Sequence, residues 1–289
     1  MGPMLERRQQ PRRSLLFVPA DQPRRIAKAA SLPVDSIILD LEDSIDPSKK
    51  SQARQEAGAA IHQLDFGGRE IILRINSRNS PEFEHDLAAI AKLTTLPAVV
   101  ALPKVESAEE LTALTAFLDD HNLTCAVLPM IESPRGVLAA ADIAAASPRV
   151  AALMFGGHDF SASLGIVYCW EATLLARSQI VLAAAAHGID PLDTPWIDLV
   201  DETGLTAECA RARQIGFAGK AAIHPKQLET INAAFSPAPD EVTRAKELLL
   251  WAESHGAEAS RFDGKMVDQA TIQVARQILR RAHPAEPPG

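Results

Sequence analysis

The sequence predicts a (β/α)8 TIM barrel with a small helical C-terminal appendage, and three observations carry that expectation. Short runs rich in Val, Ile and Leu recur eight times over about 225 residues, the repeat number and length of such a barrel. Their hydrophobicity is continuous rather than alternating, as in parallel strands buried on both faces. Segments of helical periodicity separate them, giving βα repeats, with a doubly wound open sheet as the competing arrangement.

The first run, Ser14 to Ala20, precedes a helical segment from Pro23 to Ala30, whose proline sits where a helix start leaves the N–H unused anyway. Ser36 to Asp43 reads as the second strand, followed by a helix from Pro47 to Leu64 opened by Asp46-Pro47. The third strand, Glu70 to Asn76, leads to a helix from Pro81 to Leu93. The fourth, Ala98 to Val105, leads to one from Ala108 to His121, with Ser107 before it and Glu109 and Glu110 in its first turn. Strands five and six are Thr124 to Glu132 and Arg149 to Gly157, followed by a helix from Trp170 to Ala186. The seventh, Gly188 to Pro195, has the weakest pattern, and Phe217 to Pro225 is the eighth. Ser236-Pro237-Ala238-Pro239 breaks the repeat. Two helical segments follow, Asp240 to Ser254 and Val267 to Arg281, around a polar loop from Arg261 to Met266. The expected domains are a barrel over 13–235 and an appendage over 236–289, with 1–12 and 283–289 frayed.

Composition narrows the function. The 29 Lys and Arg against 37 Asp and Glu give a net charge of −8, which argues against a nucleic-acid binder. No apolar run approaches the ~20 residues that span a bilayer. Met1 to Arg13 is polar and basic with no signal-type core behind it, so secretion is not expected. Cys125, Cys169 and Cys209 have no CxxC spacing and fit reduced thiols, hence a cytoplasmic protein.

Polar residues gather at the C-terminal ends of the predicted strands, where barrel enzymes build their active sites. They are Asp40-Leu41-Glu42-Asp43, Arg74-Ile75-Asn76, Lys104-Val105-Glu106, Glu132-Ser133-Pro134-Arg135, Gly157-His158-Asp159 and His224. Glu132 and Asp159 leave neighbouring strands, and two carboxylates without clustered His or Cys suit a hard divalent cation, most simply Mg²⁺. The structural alternative is that Glu132 caps the next helix and Asp159 pairs with Arg135. Arg74, in an apolar run, is either a fixed cation for a developing oxyanion or an ion-pair partner of Asp40 or Glu42. Lys104 is either a Schiff-base nucleophile or a charged strand-end residue beside Glu106. Arg24, Arg25 and Lys28 could hold phosphates or form a solvated basic face. The histidines lack HxxH or HExxH spacing, and Gly156-Gly157 lacks nucleotide-loop spacing, which argues against zinc and dinucleotide sites.

The series RRSLLFVPA, ILDLEDSI, LRIN, LPKVES, MIESPRGV, FGGHDFSASLG, GKAAIHP and DGKMVD resembles, in order from about Arg12 to Asp268, the citrate lyase β-subunit-like family of the HpcH/HpaI aldolase superfamily. The resemblance implies a (β/α)8 barrel, a homotrimer or hexamer, Mg²⁺, and action on acyl thioesters of coenzyme A. By motif, Glu132 and Asp159 correspond to the metal ligands and Arg74 to the active-site arginine. Asp268 corresponds to an acid/base aspartate that reaches a neighbouring subunit's site, and Arg25 and Lys28 fall where the coenzyme A phosphates approach. One departure is Pro19-Ala20 in place of Pro-Gly, which adds a methyl group near the mouth of the site.

The implied reaction is reversible carbon–carbon cleavage of a 3-hydroxyacyl-CoA thioester, such as malyl-CoA or citramalyl-CoA, into an acyl-CoA and a 2-oxo acid. Arg74 would stabilise the thioester enolate, Asp268 would protonate its carbon, and Glu42 or a water would take the hydroxyl proton. The alternatives are the β-subunit of a citrate lyase complex, acting on an acyl carrier protein thioester, and a barrel kept as a non-catalytic binding or assembly subunit. An aldolase acting on free hydroxy-oxo acids is disfavoured by DGKMVD and by the basic residues near Arg25.

Overall fold

The structure, a computed structural model, describes residues 11–255 and 260–282. Eight parallel strands close into a barrel in sequence order: β1 (Ser14–Pro19), β2 (Ser36–Asp40), β3 (Glu70–Arg74), β4 (Val99–Leu102), β5 (Ala126–Ile131), β6 (Ala152–Phe155), β7 (Asp190–Asp193) and β8 (Gly219–Ala222). The connecting helices are α1 (Pro23–Ala29), α2 (Lys50–Gln63), α3 (Phe83–Ile90), α4 (Ala108–Asp120), α5 (Pro134–Leu138), α6 (Ala140–Ala145), α7 (Gly157–Ser163), α8 (Trp170–Ala186) and α9 (Glu202–Ile215). After β8 come α10 (Leu228–Phe235), α11 (Pro239–His255), a hairpin of β9 (Ser260–Phe262) and β10 (Lys265–Val267), and α12 (Gln269–Ala282). The chain divides into two compact units, one of Arg12–Asn232 and one of Pro11 with the described residues from Ala233 onward.

Side chains alternate across each strand, so one set fills the barrel. Leu15, Ile38, Ile72, Val99, Ala101, Leu128, Met130, Ala152, Met154, Leu192 and Ala221 form that inner core. Two residues further along the same faces stand Asp40, Arg74, Glu132, Gly156 and Thr194. The top layer of the barrel is therefore polar because the alternation runs on past the apolar layers. Every predicted strand is present, but each stops short of its predicted C-terminal end. The ladder pairs β5 with β6 through Ile131↔Phe155 and goes no further, and α7 begins at Gly157, where the sequence pattern reads as strand.

The opposite end of the barrel is tied by Arg12, expected from the sequence to lie in a frayed tail. Its guanidinium donates to both Glu70 oxygens at 2.8 and 2.7 Å, to Asp190 Oδ2 at 2.8 Å and to the Ala151 carbonyl at 3.2 Å. These partners stand at or next to the starts of β3, β7 and β6, so one side chain fastens three strands. The Arg12 carbonyl also lies against Gly219, where an added Cβ would come to 1.7 Å from it. Backbone cannot yield as a side chain can. Gly219→Ala is expected to destabilise the barrel by more than about 3 kcal/mol, read as a fall in the urea midpoint.

In the C-terminal unit, Ala245, Leu248, Val267, Ile272 and Ala275 pack together, with Trp251 and Phe262 rings 5.6 Å apart. The segment expected as a polar loop is an antiparallel hairpin, with Lys265 paired to Phe262. Asp263 and Gly264, at φ of 50° and 73°, make its two-residue turn, the Asp-Gly signature of a hairpin with both central residues left-handed.

Candidate active site

A cavity of about 930 Å³ opens at the C-terminal ends of the strands, lined by Asp40, Arg74, Glu132, Gly156, Asp159 and Thr194, with Arg25, Lys28 and Lys226 also on its wall. The parallel register builds its floor. Asp40 pairs with Arg74 across β2 and β3, and the guanidinium grips the carboxylate with two bonds, Nε to Oδ1 at 2.7 Å and Nη2 to Oδ2 at 2.6 Å. Arg74 Nη1 lies 2.8 Å from Glu42 Oε2 and the guanidinium carbon 4.8 Å from the Phe17 ring centre. The ion-pair reading of Arg74 is thus met, and the same side chain faces the cavity. Burial by itself would raise Asp40, but the charge and hydrogen bonds of Arg74 hold its pKa below the usual carboxylate range.

Glu42 is buried, and burial raises its pKa in spite of Arg74 and Lys104. Its Oε2 has no aligned hydrogen-bond donor although Arg74 is close. Glu42 is not part of the cavity wall; Asp43 and Ser44 are.

Lys104 takes the second of its two readings, a charged residue at a strand end, paired with Glu42 and Asp43. Its backbone is left-handed, φ 57°, a conformation that non-glycine residues hold only where the surroundings dictate it. That twist sends the Lys104 N–H to Glu132 Oε2 at 3.1 Å and the ammonium to Glu42 Oε1 at 2.7 Å and Asp43 Oδ1 at 3.2 Å. Burial alone would lower the lysine, but the bond and charge of Glu42 raise it well above its ordinary value. A lysine held so firmly as an ammonium is a poor Schiff-base nucleophile. Glu106, two residues on, accepts from Ser133 Oγ at 2.6 Å and pairs with Arg135 at 3.6 Å.

Both structural alternatives for the central carboxylates fail. Ser133, not Glu132, caps α5 by accepting from the Gly136 N–H at 3.1 Å, and Arg135 pairs with Glu106, not Asp159. Glu132 is 4% exposed and, among the described residues, accepts a single hydrogen bond, from the Lys104 N–H. Gly156 beside it is a cradle, for a Cβ there would stand 2.4 Å from Glu132 Cγ and 2.9 Å from Oε1. Burial pushes the Glu132 carboxyl up to about 8, with Glu42 and Asp159 adding to the shift and Arg74 and Lys104 opposing it. Asp159 stands exposed in the first turn of α7.

These features fit a divalent cation. At the strand ends the carboxylates Asp40, Glu42, Asp43, Glu132 and Asp159 outnumber the cations Arg74 and Lys104, and Glu132 is raised by burial first and by the neighbouring carboxylates Glu42 and Asp159 next. Among the described residues no three His, Cys, Asp or Glu side chains converge as a ready-made metal cage. Mg²⁺ needs none, since it commonly takes one or two carboxylates and completes its shell with water and substrate oxygens. The sign of the pH effect follows. A carboxyl raised from 4.5 to about 8 binds its proton more tightly in the folded chain than in the unfolded one, so stability falls as pH rises through that window. Cation-free protein is expected to lose melting temperature over this range, and Glu132→Gln to flatten the loss.

Arg25 and Lys28, on the exposed side of α1, line the cavity as the phosphate reading requires, whereas Arg24 does not. Lys226, in the single turn after β8, joins them and was not singled out in the sequence, because a lone lysine after Pro225 carries no pattern. His158 is half-buried; burial lowers its pKa, and its Nε2 lies 3.1 Å from the Pro195 carbonyl. Ala20 does not crowd the mouth. It is buried, takes no positive φ, and is absent from the cavity wall, so the missing glycine has no cost there. Asp268 belongs to the C-terminal unit, where its Oδ1 accepts from the Thr271 N–H at 2.9 Å and hydroxyl at 2.8 Å, capping α12. Those bonds lower its pKa and keep it ionised.

Residues 13–225 match the family described as HpcH/HpaI aldolase/citrate lyase. The chain is 37% identical over 277 residues to (3S)-malyl-CoA thioesterase of Cereibacter sphaeroides, covering 94% of this chain and 95% of that protein. It is 33% identical to the mitochondrial citramalyl-CoA lyase of Homo sapiens, covering 94% and 86%. Among solved structures it is similar to the protein CitE from Mycobacterium tuberculosis in complex with magnesium, acetoacetate and coenzyme A. That likeness has a TM-score of 0.78 and 34% identity, over 94% of this chain and 98% of that one.

Proposed function

The chain belongs to the HpcH/HpaI aldolase/citrate lyase family, and from that premise we propose that it is a Mg²⁺-dependent carbon–carbon lyase of 3-hydroxyacyl-CoA thioesters. Its products would be an acyl-CoA and a 2-oxo acid. The observation that carries the reading is the buried, under-bonded Glu132 in the Gly156 cradle, sharing one cavity with Asp159 and the pinned Arg74. The citramalyl-CoA lyase relative and the CitE complex with magnesium and coenzyme A support it.

In this reading Glu132 and Asp159 hold the cation, which when bound polarises the substrate oxygen that becomes the keto group. Arg74, oriented by its two bonds to Asp40, offers fixed positive charge to the thioester oxygen as the bond breaks. Glu42, one acceptor considered for the hydroxyl proton, faces Arg74 and Lys104, and we assign it the task of holding those two cations. Arg25, Lys28 and Lys226 give the cavity wall a basic side for the coenzyme A phosphates. Asp268, kept ionised by its Thr271 bonds, is assigned as the base that takes the α-carbon proton of the acyl-CoA in the condensation direction. In cleavage the hydroxyl proton, passed through water, loads the carboxylate, which returns it to the enolate carbon in a neighbouring subunit's cavity of a homotrimer or hexamer. The reading includes a cytoplasmic location, supported by Cys125, Cys169 and Cys209, none of which forms a disulfide among the described residues. No helix among the described residues is long and apolar enough to cross a membrane.

A second reading has its own support, since the relative with 37% identity is named a thioesterase. One assay separates the two: purified protein with Mg²⁺ and malyl-, citramalyl- or citryl-CoA, following 2-oxo acid and free thiol together. Chelator-sensitive release of oxo acid without thiol establishes the lyase, and thiol without oxo acid establishes hydrolysis. Inactivity on every CoA ester, with activity on the acyl carrier protein thioester, would assign the chain to a citrate lyase complex.

A further inference from the structure

Between strands β7 and β8 and helices α8 and α9 the protein buries charges where a barrel commonly packs aliphatic side chains. Asp193 and Lys220 alternate with the inward Leu192 and Ala221 and so face the helices. Lys220 Nζ spends all three of its protons, on Asp193 Oδ2 at 2.7 Å, Glu208 Oε1 at 2.6 Å and the Thr194 carbonyl at 2.6 Å. Arg177 donates to Asp193 Oδ1 at 2.9 Å, to Thr173 and to the Tyr168 hydroxyl, and lies over the Trp170 ring at 4.5 Å. The Tyr168 hydroxyl in turn donates to Glu208 Oε2 at 2.7 Å. Two cations balance two anions, and none of these side chains lines the cavity. Such a network adds little stability over an apolar core; where it has a use, that use is fixing one arrangement.

What it fixes lies at its edge. Lys220 holds the Thr194 carbonyl, and the Thr194 hydroxyl accepts from the Gly157 N–H at 3.0 Å. The next residue of each segment repeats the link, through His158 Nε2 and the Pro195 carbonyl at 3.1 Å. The His158 ring stacks on Tyr168, 4.2 Å between centres, which ties it to the same network. Gly157 and His158 are the two residues before Asp159. The packing is close enough that a Cβ on Gly157 would stand 3.1 Å from Thr194 Cγ2.

We propose that Thr194, held from behind by Lys220, is a positioning residue for Asp159, locking the first turn of α7 so that this carboxylate and Glu132 address the same cation. The inference rests on the metal reading of Asp159. It assigns Thr194 no contact with the reacting atoms.

The test uses the full-length protein, with Mn²⁺ binding followed by electron paramagnetic resonance in the absence of substrate. Thr194→Val removes the acceptor of the Gly157 N–H at nearly constant volume, and Thr194→Ala does so without added bulk should the valine variant fail to fold. Either is expected to weaken Mn²⁺ binding by about 10- to 100-fold, the usual effect of losing a group that orients a ligand. Thr194→Ser, which keeps the hydroxyl, should restore binding. Activity should shift the same way, with a higher Mg²⁺ concentration for half-maximal turnover that Thr194→Ser returns to the wild-type value; a merely structural role would leave that concentration unchanged. Asp159→Asn is the control. If it loses Mn²⁺ while the folded Thr194 variants bind as wild type, the positioning role is overturned and the metal reading stands. If Asp159→Asn binds Mn²⁺ normally, the metal reading itself falls and the proposal with it.

Discussion

Replacing Glu132 with alanine should abolish cation-dependent turnover, by at least about 10³-fold, and leave the barrel folded. Glu132 is the buried member of the carboxylate pair and makes one hydrogen bond, so its oxygens are not committed to holding the fold. Its removal also relieves repulsion from Glu42 and Asp159, which works against any loss of packing. Circular dichroism and Mn²⁺ binding check the two halves of the expectation. Wild-type turnover in a variant that no longer binds Mn²⁺ would detach the chemistry from the metal.

Asp268→Asn is the second variant with a large expected effect, a loss of about 10²- to 10⁴-fold in turnover with Mn²⁺ binding intact. Asparagine can still accept the Thr271 bonds that cap α12, so the local fold survives while the proton carrier is lost. If Asp268 serves a neighbouring subunit, mixing and re-assembling the inactive Glu132→Ala and Asp268→Asn chains should recover activity. The mixed assembly would contain some sites with both residues intact. No recovery from demonstrably mixed oligomers would place the two residues in one chain's site or in separate tasks.

The sequence made the barrel legible because its strand cores are runs of a single kind, and Ile37 to Leu39 or Val99 to Leu102 have no other sensible place. The strand ends were harder. Glu132 and Gly156 stand where the ladder has stopped but the alternation continues, so hydrophobic pattern alone extends the strand through them. Arg74 was visible as a charge in an apolar run, yet its bidentate hold on Asp40 depends on register, which no single strand encodes. The charge of Lys104 at a strand end was legible, but its backbone was not, since nothing in Pro-Lys-Val announces a left-handed conformation. Arg12 looked like a tail residue because its partners, Glu70 and Asp190, are 58 and 178 residues away. The Asp263-Gly264 turn carried a local signal, but three-residue strands are too short to show a period.

Tyr168 is the single tyrosine of the chain. It lies in the network behind Asp159 with its ring on His158, and burial raises its pKa, so the phenol stays protonated throughout the working range. Growth on 3-fluorotyrosine would therefore introduce one fluorine nucleus, at one place, with no cysteine chemistry and no assignment problem. A change in that lone ¹⁹F resonance on adding Mg²⁺ or substrate would report on the segment behind Asp159. The protein carries its own address for a spectroscopic label.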